Sequence, residues 1–268
     1  MSDFSQSHPG YTPAEIMTIE ASRRLKDGDV CFVGIGLPSA AANLARLTHA
    51  PDVVLIYESG TIGAKPDILP LSIGDGELAE FADTVVSVPE IFRYWLQGGH
   101  VDIGFLGAAQ VDRFGNINST VIGSDYAKPK VRLPGAGGAP EIASNARQTW
   151  IIIKQSLRTF VEKVDFLTSV GHYEGGDSRA RSGARGAGPT AVITDLGVLT
   201  PDPTTKELIL SALHPGVTVE QARAATGWEL KIANLVKDTA PPTQLELVTL
   251  RDLHSRTAKA HGITLAPD

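Results

Sequence analysis

Glu58 ends the apolar run Val53-Val54-Leu55-Ile56-Tyr57 and is followed by Ser59-Gly60. A carboxylate at the carboxyl end of a buried strand stands where open α/β sheets bind ligands. Two chemistries fit this position beside the plain one, a solvated strand-end glutamate. As a nucleophile, Glu58 would gain reactivity from partial desolvation and be held by surrounding backbone donors. As a nucleotide ligand, it lies 22 residues after Gly36, close to the ~20 at which the acid of a dinucleotide site meets a ribose hydroxyl. Gly34-Ile35-Gly36-Leu37-Pro38-Ser39 offers free N–H groups and a helix start to a phosphate. It lacks the third glycine of the dinucleotide fingerprint, where Ser39 stands. Leu133-Pro134-Gly135-Ala136-Gly137-Gly138-Ala139-Pro140 strips side chains from one face of a loop, so its N–H groups can converge on a carbonyl oxygen, as an oxyanion hole requires. Asp112-Arg113-Phe114-Gly115-Asn116-Ile117-Asn118 precedes it.

These segments need elements to position them. Thr12-Pro13-Ala14-Glu15 is a capping box with proline at the first helical position, and predicts a helix running toward Gly28. Val30 to Val33 reads as a buried strand, Ser39 to Leu47 as an alanine-rich helix and Val53 to Tyr57 as the next strand. A crossover of that length joins parallel strands. Further strands are predicted at Thr84 to Val88, Asp102 to Leu106, Trp150 to Lys154, Phe166 to Val170 and Thr190 to Thr194. Helices are predicted at Glu90 to Gln97, Val219 to Ala225 and Leu245 to Ala260; Thr218/Gln221 and Thr243/Glu246 repeat the capping box. The expected fold is α/β, an open, mainly parallel sheet with helices on both faces: a polar tail over 1–12, then one domain over 13–268. Gly171 to Pro189, rich in glycine and arginine, reads as a long loop of weak order, with Arg179, Arg181 and Arg185 on a mobile surface.

Composition narrows the function. Of 268 residues 42% are apolar and 20% charged, with a net charge of −6 spread along the chain; this gives a core and no electrostatic footprint for nucleic acid. No stretch approaches the ~20 apolar residues of a membrane span, and Met1 to Thr12 lacks a signal core, so a cytoplasmic protein is expected. The single cysteine, Cys31, reads as a small core residue. Seven scattered histidines show no structural-zinc spacing. Lys65, His172 and Asp177 read as solvated or structural.

Taken in order, Val33-Gly34-Ile35-Gly36-Leu37-Pro38, Glu58-Ser59-Gly60, Gly107-Ala108-Ala109-Gln110-Val111-Asp112, Gly115-Asn116-Ile117-Asn118 and Gly135-Ala136-Gly137-Gly138-Ala139 resemble the B (β) subunits of family I CoA-transferases. The likeness runs from about Thr12 to the last helix and implies that family's fold. It implies that Glu58 attacks an acyl-CoA and becomes a glutamyl-CoA thioester. It assigns the oxyanion hole to Gly137 and Gly138, and CoA contacts to Asn116, Gly34 and Gly36. It further implies succinyl-CoA as donor and 3-oxoadipate as acceptor, in aromatic-compound catabolism, with glutaconate or another dicarboxylate as the alternative acceptor. No metal or redox cofactor is implied, coenzyme A being a substrate. A separate A (α) subunit is implied, in an α2β2 or similar hetero-oligomer. The rival class, a nicotinamide-dependent oxidoreductase on Gly34, Gly36 and Glu58, leaves the Gly135 to Ala139 loop without a task. A non-catalytic scaffold leaves Glu58 without one.

Overall fold

The computed structural model describes residues 10–263. Its strands are, in chain order, β1 Val30–Val33, β2 Val54–Ile56, β3 Thr61–Ile62, β4 Thr84–Val85, β5 Ile103–Gly107, β6 Gln110–Val111, β7 Ile117–Asn118, β8 Val121–Ile122, β9 Val131–Arg132, β10 Gln148–Ile152, β11 Pro189–Ile193, β12 Gly197–Pro201, β13 Leu208–Leu213 and β14 Lys231–Asp238. Ten of them form one sheet in the order β14-β13-β12-β11-β10-β5-β1-β2-β3-β4. Its centre, from β11 to β2, is parallel. On one side β3 and β4 return antiparallel; on the other β12 and β13 do so, with β14 parallel to β13. The expected open, mainly parallel α/β sheet is therefore present, with antiparallel flanks that its sequence pattern did not announce. β6 with β7 and β8 with β9 form two small hairpins beside it.

Alternation along the strands explains the two core layers. Cys31, Val33, Leu55, Tyr57, Phe105 and Trp150 turn to one face, against Met17, Ala21, Ala41 and Ala45 of the helices Pro13–Ser22 and Leu37–Thr48. Phe32, Ile56, Leu106, Ile151 and Val192 turn to the other, against Ile91, Leu96, Ile142 and Ala146. Helices thus cover both faces. A strand buried on both sides must be apolar at every position, which is why β1 and β2 read as unbroken apolar runs. Phe32 and Phe105 are wholly buried, each contributing about 1.5–3 kcal/mol by leaving water. Cys31 is buried as expected. The C-terminal helix Gln244–His261 lies over the first two helices through Leu247 and Leu250, tied by the Arg23–Glu246 and Arg251–Glu15 ion pairs at 2.6 Å each. The Thr12, Thr218 and Thr243 capping boxes all form.

The expected polar tail lies outside the described residues as far as residue 9; beyond that, Tyr11 packs on the Ile19–Leu44–Leu250 cluster and the Gly10 carbonyl accepts from Arg251. Three expectations need correction. The strand at Thr84 stops at Val85, because Ser87 caps a new helical turn at Val88–Glu90, which runs into a π-helix at Ile91–Leu96. Phe166 to Val170 is not a strand: its one bridge, Ser169 to Ile117, meets the two-residue β7, too short to extend pairing. Gly171 to Pro189 is no loose loop. It carries the helical turn Ser178–Arg181, and Arg179 is only 5% exposed, its guanidinium donating to the carbonyls of Gly186, Val170, Gly171, Ala143 and Arg185.

Candidate active site

Glu58 sits in the turn that joins β2 to β3. Tyr57 just before it is fully buried, and its hydroxyl lies 2.9 Å from the Ser39 hydroxyl while accepting from the Asn43 amide at 3.3 Å. The turn closes through Gly60 N–H to the Tyr57 carbonyl, 3.0 Å, and Tyr57 N–H to the Thr61 carbonyl, 3.1 Å. Gly60 has φ +97° and runs against the Val86 carbonyl, where a Cβ would stand 1.9 Å from the oxygen. Only glycine fits there, so the turn holds one shape. A rigid backbone therefore presents the carboxylate.

The loop Gly135 to Gly138 meets it. Ser119 fixes the loop's start, its carbonyl accepting from Gly135 N–H and its hydroxyl donating to the Gly135 carbonyl. Gly137, at φ +51°, turns the chain so closely past Glu58 that a Cβ there would be 3.6 Å from Oε2. Gly138 N–H then donates to both Oε1 and Oε2 at 3.3 Å, immediately before the helix Ala139–Asn145. Burial pushes the Glu58 carboxyl above the usual carboxylate range, and the Gly138 bond only partly offsets it. Among the described residues no cation pairs with Glu58. A half-buried carboxylate with one long, shared hydrogen bond is poorly solvated, and such a group is a better nucleophile than a hydrated one.

The other expected site residues divide. Strand register sets Gly34 at the same sheet edge, two residues past the Phe32–Ile56 pair that also precedes Glu58. Its N–H, however, is bonded to the Phe105 carbonyl at 3.0 Å, so its role is close packing of β1 on β5. Gly36, at φ +85°, is the N-cap of the helix Leu37–Thr48 with open space where a Cβ would be. It keeps an approachable backbone. Asn116 is a correction. Its side-chain amide donates to Asp112 Oδ2 at 3.0 Å and the Tyr173 carbonyl at 2.7 Å. Its oxygen accepts from Gly171 N–H at 2.8 Å and Tyr173 N–H at 3.1 Å. Both donors and both acceptor positions are spent, leaving nothing for a CoA arm. His172 is buried and structural, bonded to the Pro189 carbonyl at 2.9 Å, and Lys65 pairs with Asp83 at 2.7 Å.

Sequence reading missed Phe92. A Cβ on Gly138 would stand 2.4 Å from Phe92 Cζ and 3.0 Å from Glu58 Cδ, so the ring tip and the carboxyl carbon both crowd the space that a side chain of Gly138 would take. Nothing in the run Ile91-Phe92-Arg93-Tyr94-Trp95-Leu96 marks one aromatic as special before the fold is known. A cavity of about 740 Å³ opens elsewhere, among Arg113, Glu162, Glu207, Trp228 and Lys231. Arg113 pairs there with Glu162 and Lys231 with Glu207, while the buried Trp228 indole N–H has no hydrogen-bond partner among the described residues.

The chain has relatives throughout its length. It is 68% identical over 252 residues, 94% of this chain and 96% of the relative, to the B subunit of 3-oxoadipate CoA-transferase from Pseudomonas knackmussii. It is 36% identical to the B subunit of glutaconate CoA-transferase from Acidaminococcus fermentans, over 90% of this chain and 92% of that one. A crystal structure of glutaconate coenzyme A-transferase from the same organism matches with a TM-score of 0.86 at 32% identity, covering 97% of this chain and 100% of that chain. The family profile described as Coenzyme A transferase matches residues 14–225. With the Glu58–Gly138 geometry, these findings make the chain a member of the coenzyme A transferase family.

Proposed function

We propose that this chain is the B (β) subunit of a two-subunit enzyme that moves coenzyme A from succinyl-CoA to 3-oxoadipate, with Glu58 as the covalent carrier. The observation that carries the reading is the half-buried Glu58 carboxylate, aimed at the Gly137–Gly138 backbone with a single N–H donor on both its oxygens. In the first step a Glu58 oxygen attacks the thioester carbonyl of succinyl-CoA; the C–S bond breaks, giving a succinyl-glutamyl anhydride and CoA thiolate. The thiolate then attacks Glu58 Cδ and succinate leaves, so that glutamyl-CoA remains. The carboxylate of 3-oxoadipate attacks Cδ in turn and displaces the thiolate. That thiolate attacks the new acyl carbonyl, releasing 3-oxoadipyl-CoA and free Glu58. Two of these steps build negative charge on an oxygen of Glu58 itself, within reach of the Gly138 N–H. A donor already in place at the developing oxyanion lowers both barriers without reorganising.

The acceptor assignment rests on the relative at 68% identity, against 36% for the glutaconate-type subunit. A separate A (α) subunit completes the site in this reading, in an α2β2 or similar assembly. Val85, Val88 and Tyr94, exposed on the segments that flank Phe92, fit a face that such a partner covers. The chemistry needs no metal or redox cofactor, since coenzyme A itself is the substrate. A cytoplasmic setting suits so highly charged a thioester, which cannot cross a bilayer unaided.

The test uses the two-subunit complex with succinyl-CoA and no acceptor acid. The peptide spanning Glu58 is expected to gain the mass of coenzyme A less one water, and hydroxylamine to remove it. Initial rates with both substrates are expected to be ping-pong. A Glu58 peptide that stays unmodified in active enzyme, under conditions that preserve thioesters, overturns the covalent route. A much higher kcat/KM with glutaconate than with 3-oxoadipate overturns the acceptor and leaves the class standing.

A further inference from the structure

The segment facing Glu58 across the Gly138 backbone is a π-helix, Ile91–Leu96, closed by Gln97 N–H to the Phe92 carbonyl at 2.9 Å and continued by His100 N–H to the Trp95 carbonyl at 2.9 Å. Bonding five residues apart stacks residues i and i+5, a spacing an α-helix spreads to different faces. Ile91 and Leu96, five apart, are both fully buried in the same core layer. The next residue, Phe92, packs its ring against Phe32 of β1 at 5.5 Å between centroids and brings its tip to Gly138. Gly98 completes the arrangement: a Cβ there would lie 1.9 Å from the Tyr94 carbonyl, so only glycine lets the wide turn close. π-turns have poorer geometry than α-helix and recur at functional sites. This one delivers one aromatic ring to one carboxylate.

We propose that Phe92 is a positioning residue of the transfer reaction: its ring walls one side of Glu58, keeping water from the glutamyl carbon so that a bound carboxylic acid, rather than water, resolves the glutamyl-CoA thioester. The inference rests on the reading of Glu58 as the covalent carrier. The competing step balances simply: water adds to Glu58 Cδ, the C–S bond breaks, and free Glu58 and coenzyme A result, with no acyl group transferred. Every turnover passes through a thioester open to that loss. Selectivity for transfer therefore needs an apolar screen at the Glu58 carbon itself, and Phe92 Cζ and Glu58 Cδ stand within 3.0 Å of one common point. Burial is also the main influence on the ionisation of Glu58, with Gly138 N–H the one opposing contact and no charged side chain contributing. Gly138 is required by the same packing, since any side chain there would displace the ring or the carboxylate.

The experiment compares wild-type complex with F92L and F92A complexes, each loaded with succinyl-CoA and freed of excess. The lifetime of the coenzyme A adduct on the Glu58 peptide is followed by mass, without acceptor acid. F92A is expected to shorten that lifetime at least tenfold and to release coenzyme A without acyl transfer. F92L, which keeps apolar volume, is expected to restore most of it. The acid limb of kcat/KM is expected to move to lower pH in F92A, as a hydrated carboxyl titrates nearer its ordinary value. A purely structural role would lower thermal stability in both variants and leave adduct lifetime per labelled site unchanged; that result overturns the proposal. If F92A does not fold, F92L and F92V decide it, by whether lifetime follows the apolar volume that remains. Absence of the adduct in wild type is a different failure, of Glu58 as carrier.

Discussion

The Glu58 turn and the Asn116–Arg179 region use the same materials, glycine-rich chain and isolated polar side chains, and treat them in opposite ways. Around Asn116 and Arg179 each polar group meets a complement. Asn116 spends all four hydrogen-bonding positions on Asp112, Gly171 and Tyr173. Arg179 collects five backbone carbonyls from three separate segments. Among the described residues Glu58 has only one N–H, at 3.3 Å and shared between its oxygens. Satisfied polar groups hold chain in place and have nothing left to offer a substrate. A carboxylate left short of partners stores reactivity, at a cost in stability. The distinction sorts architecture from chemistry more sharply than residue type does.

Breaking the chemical side has the largest expected effect. Glu58→Gln should lower kcat by ~10³-fold or more, as removal of a nucleophile does, while leaving stability equal or slightly higher. The sign follows from the raised carboxyl. Folded Glu58 binds its proton more tightly than the unfolded group at about 4.5. That contribution to stability is fully present below about 4.5 and is lost as pH rises through the folded value. Above the folded value the wild type therefore carries a poorly solvated ionised group that Gln lacks, and thermal melts of the two across pH should show it. The same titration predicts an acid limb in kcat/KM lying above 4.5. A large loss of stability in E58Q would place Glu58 with the architectural groups instead.

The architectural side breaks through stability. Arg179→Met removes a charged group that burial already pushes down to about 10, still fully protonated at neutral pH, and strands five carbonyls. A loss of about 3–5 kcal/mol is expected by denaturant titration. Arg179→Lys should recover little of it, because one ammonium cannot span the fork. Activity per folded complex should stay within about threefold of wild type.

Asn116→Ala sharpens the comparison at the residue the family resemblance assigned to coenzyme A. It unpairs Asp112 Oδ2, the Tyr173 carbonyl and two backbone N–H groups, for an expected loss of about 2–3 kcal/mol, with KM for the CoA donor changed less than about twofold. A tenfold rise in KM without loss of stability would return Asn116 to the binding site.

The sequence was most legible where one local rule acts alone. The runs of β1 and β2 are apolar throughout because both faces are covered, and Thr12-Pro13-Ala14-Glu15 spells its own helix start. Glu58 was visible because it interrupts such a run just before a glycine. The edge strand β14 was not, since it is largely exposed and neither alternates nor runs apolar. Phe166 to Val170 shows the converse, an apolar segment whose only available partner, β7, is two residues long. The satisfied network was equally hidden. Asn116 bonds to backbone more than fifty residues on, at Gly171 and Tyr173, and Arg179 gathers Ala143 together with carbonyls of its own irregular segment; no spacing encodes such pairings. Phe92 needs the π-turn to reach Glu58, and that turn depends on Gly98 clearing the Tyr94 carbonyl, a tertiary fact that local pattern does not carry.

The smallest expected effect lies where the two kinds of region join, at Tyr57. Its hydroxyl belongs to a buried, satisfied cluster with Ser39 and Asn43, yet its backbone leads directly into Glu58. Burial pushes the phenol up to about 12, so it stays protonated through the working range and gives activity no pH dependence of its own. In Tyr57→Phe, Asn43 keeps the Ser39 carbonyl at 3.0 Å and the Ser39 hydroxyl at 3.4 Å, so few groups are orphaned. The expected loss is about 0.5–1.5 kcal/mol, a melting shift of about 2–4 °C per kcal/mol. The turn after Tyr57 is held separately, by the Gly60 N–H bond and the Val86 contact. Adduct formation at Glu58 should therefore slow less than about threefold in Y57F. A tenfold slowing at unchanged stability would mean that the satisfied network itself aims the nucleophile, and that the boundary between the two regions does not fall between Tyr57 and Glu58.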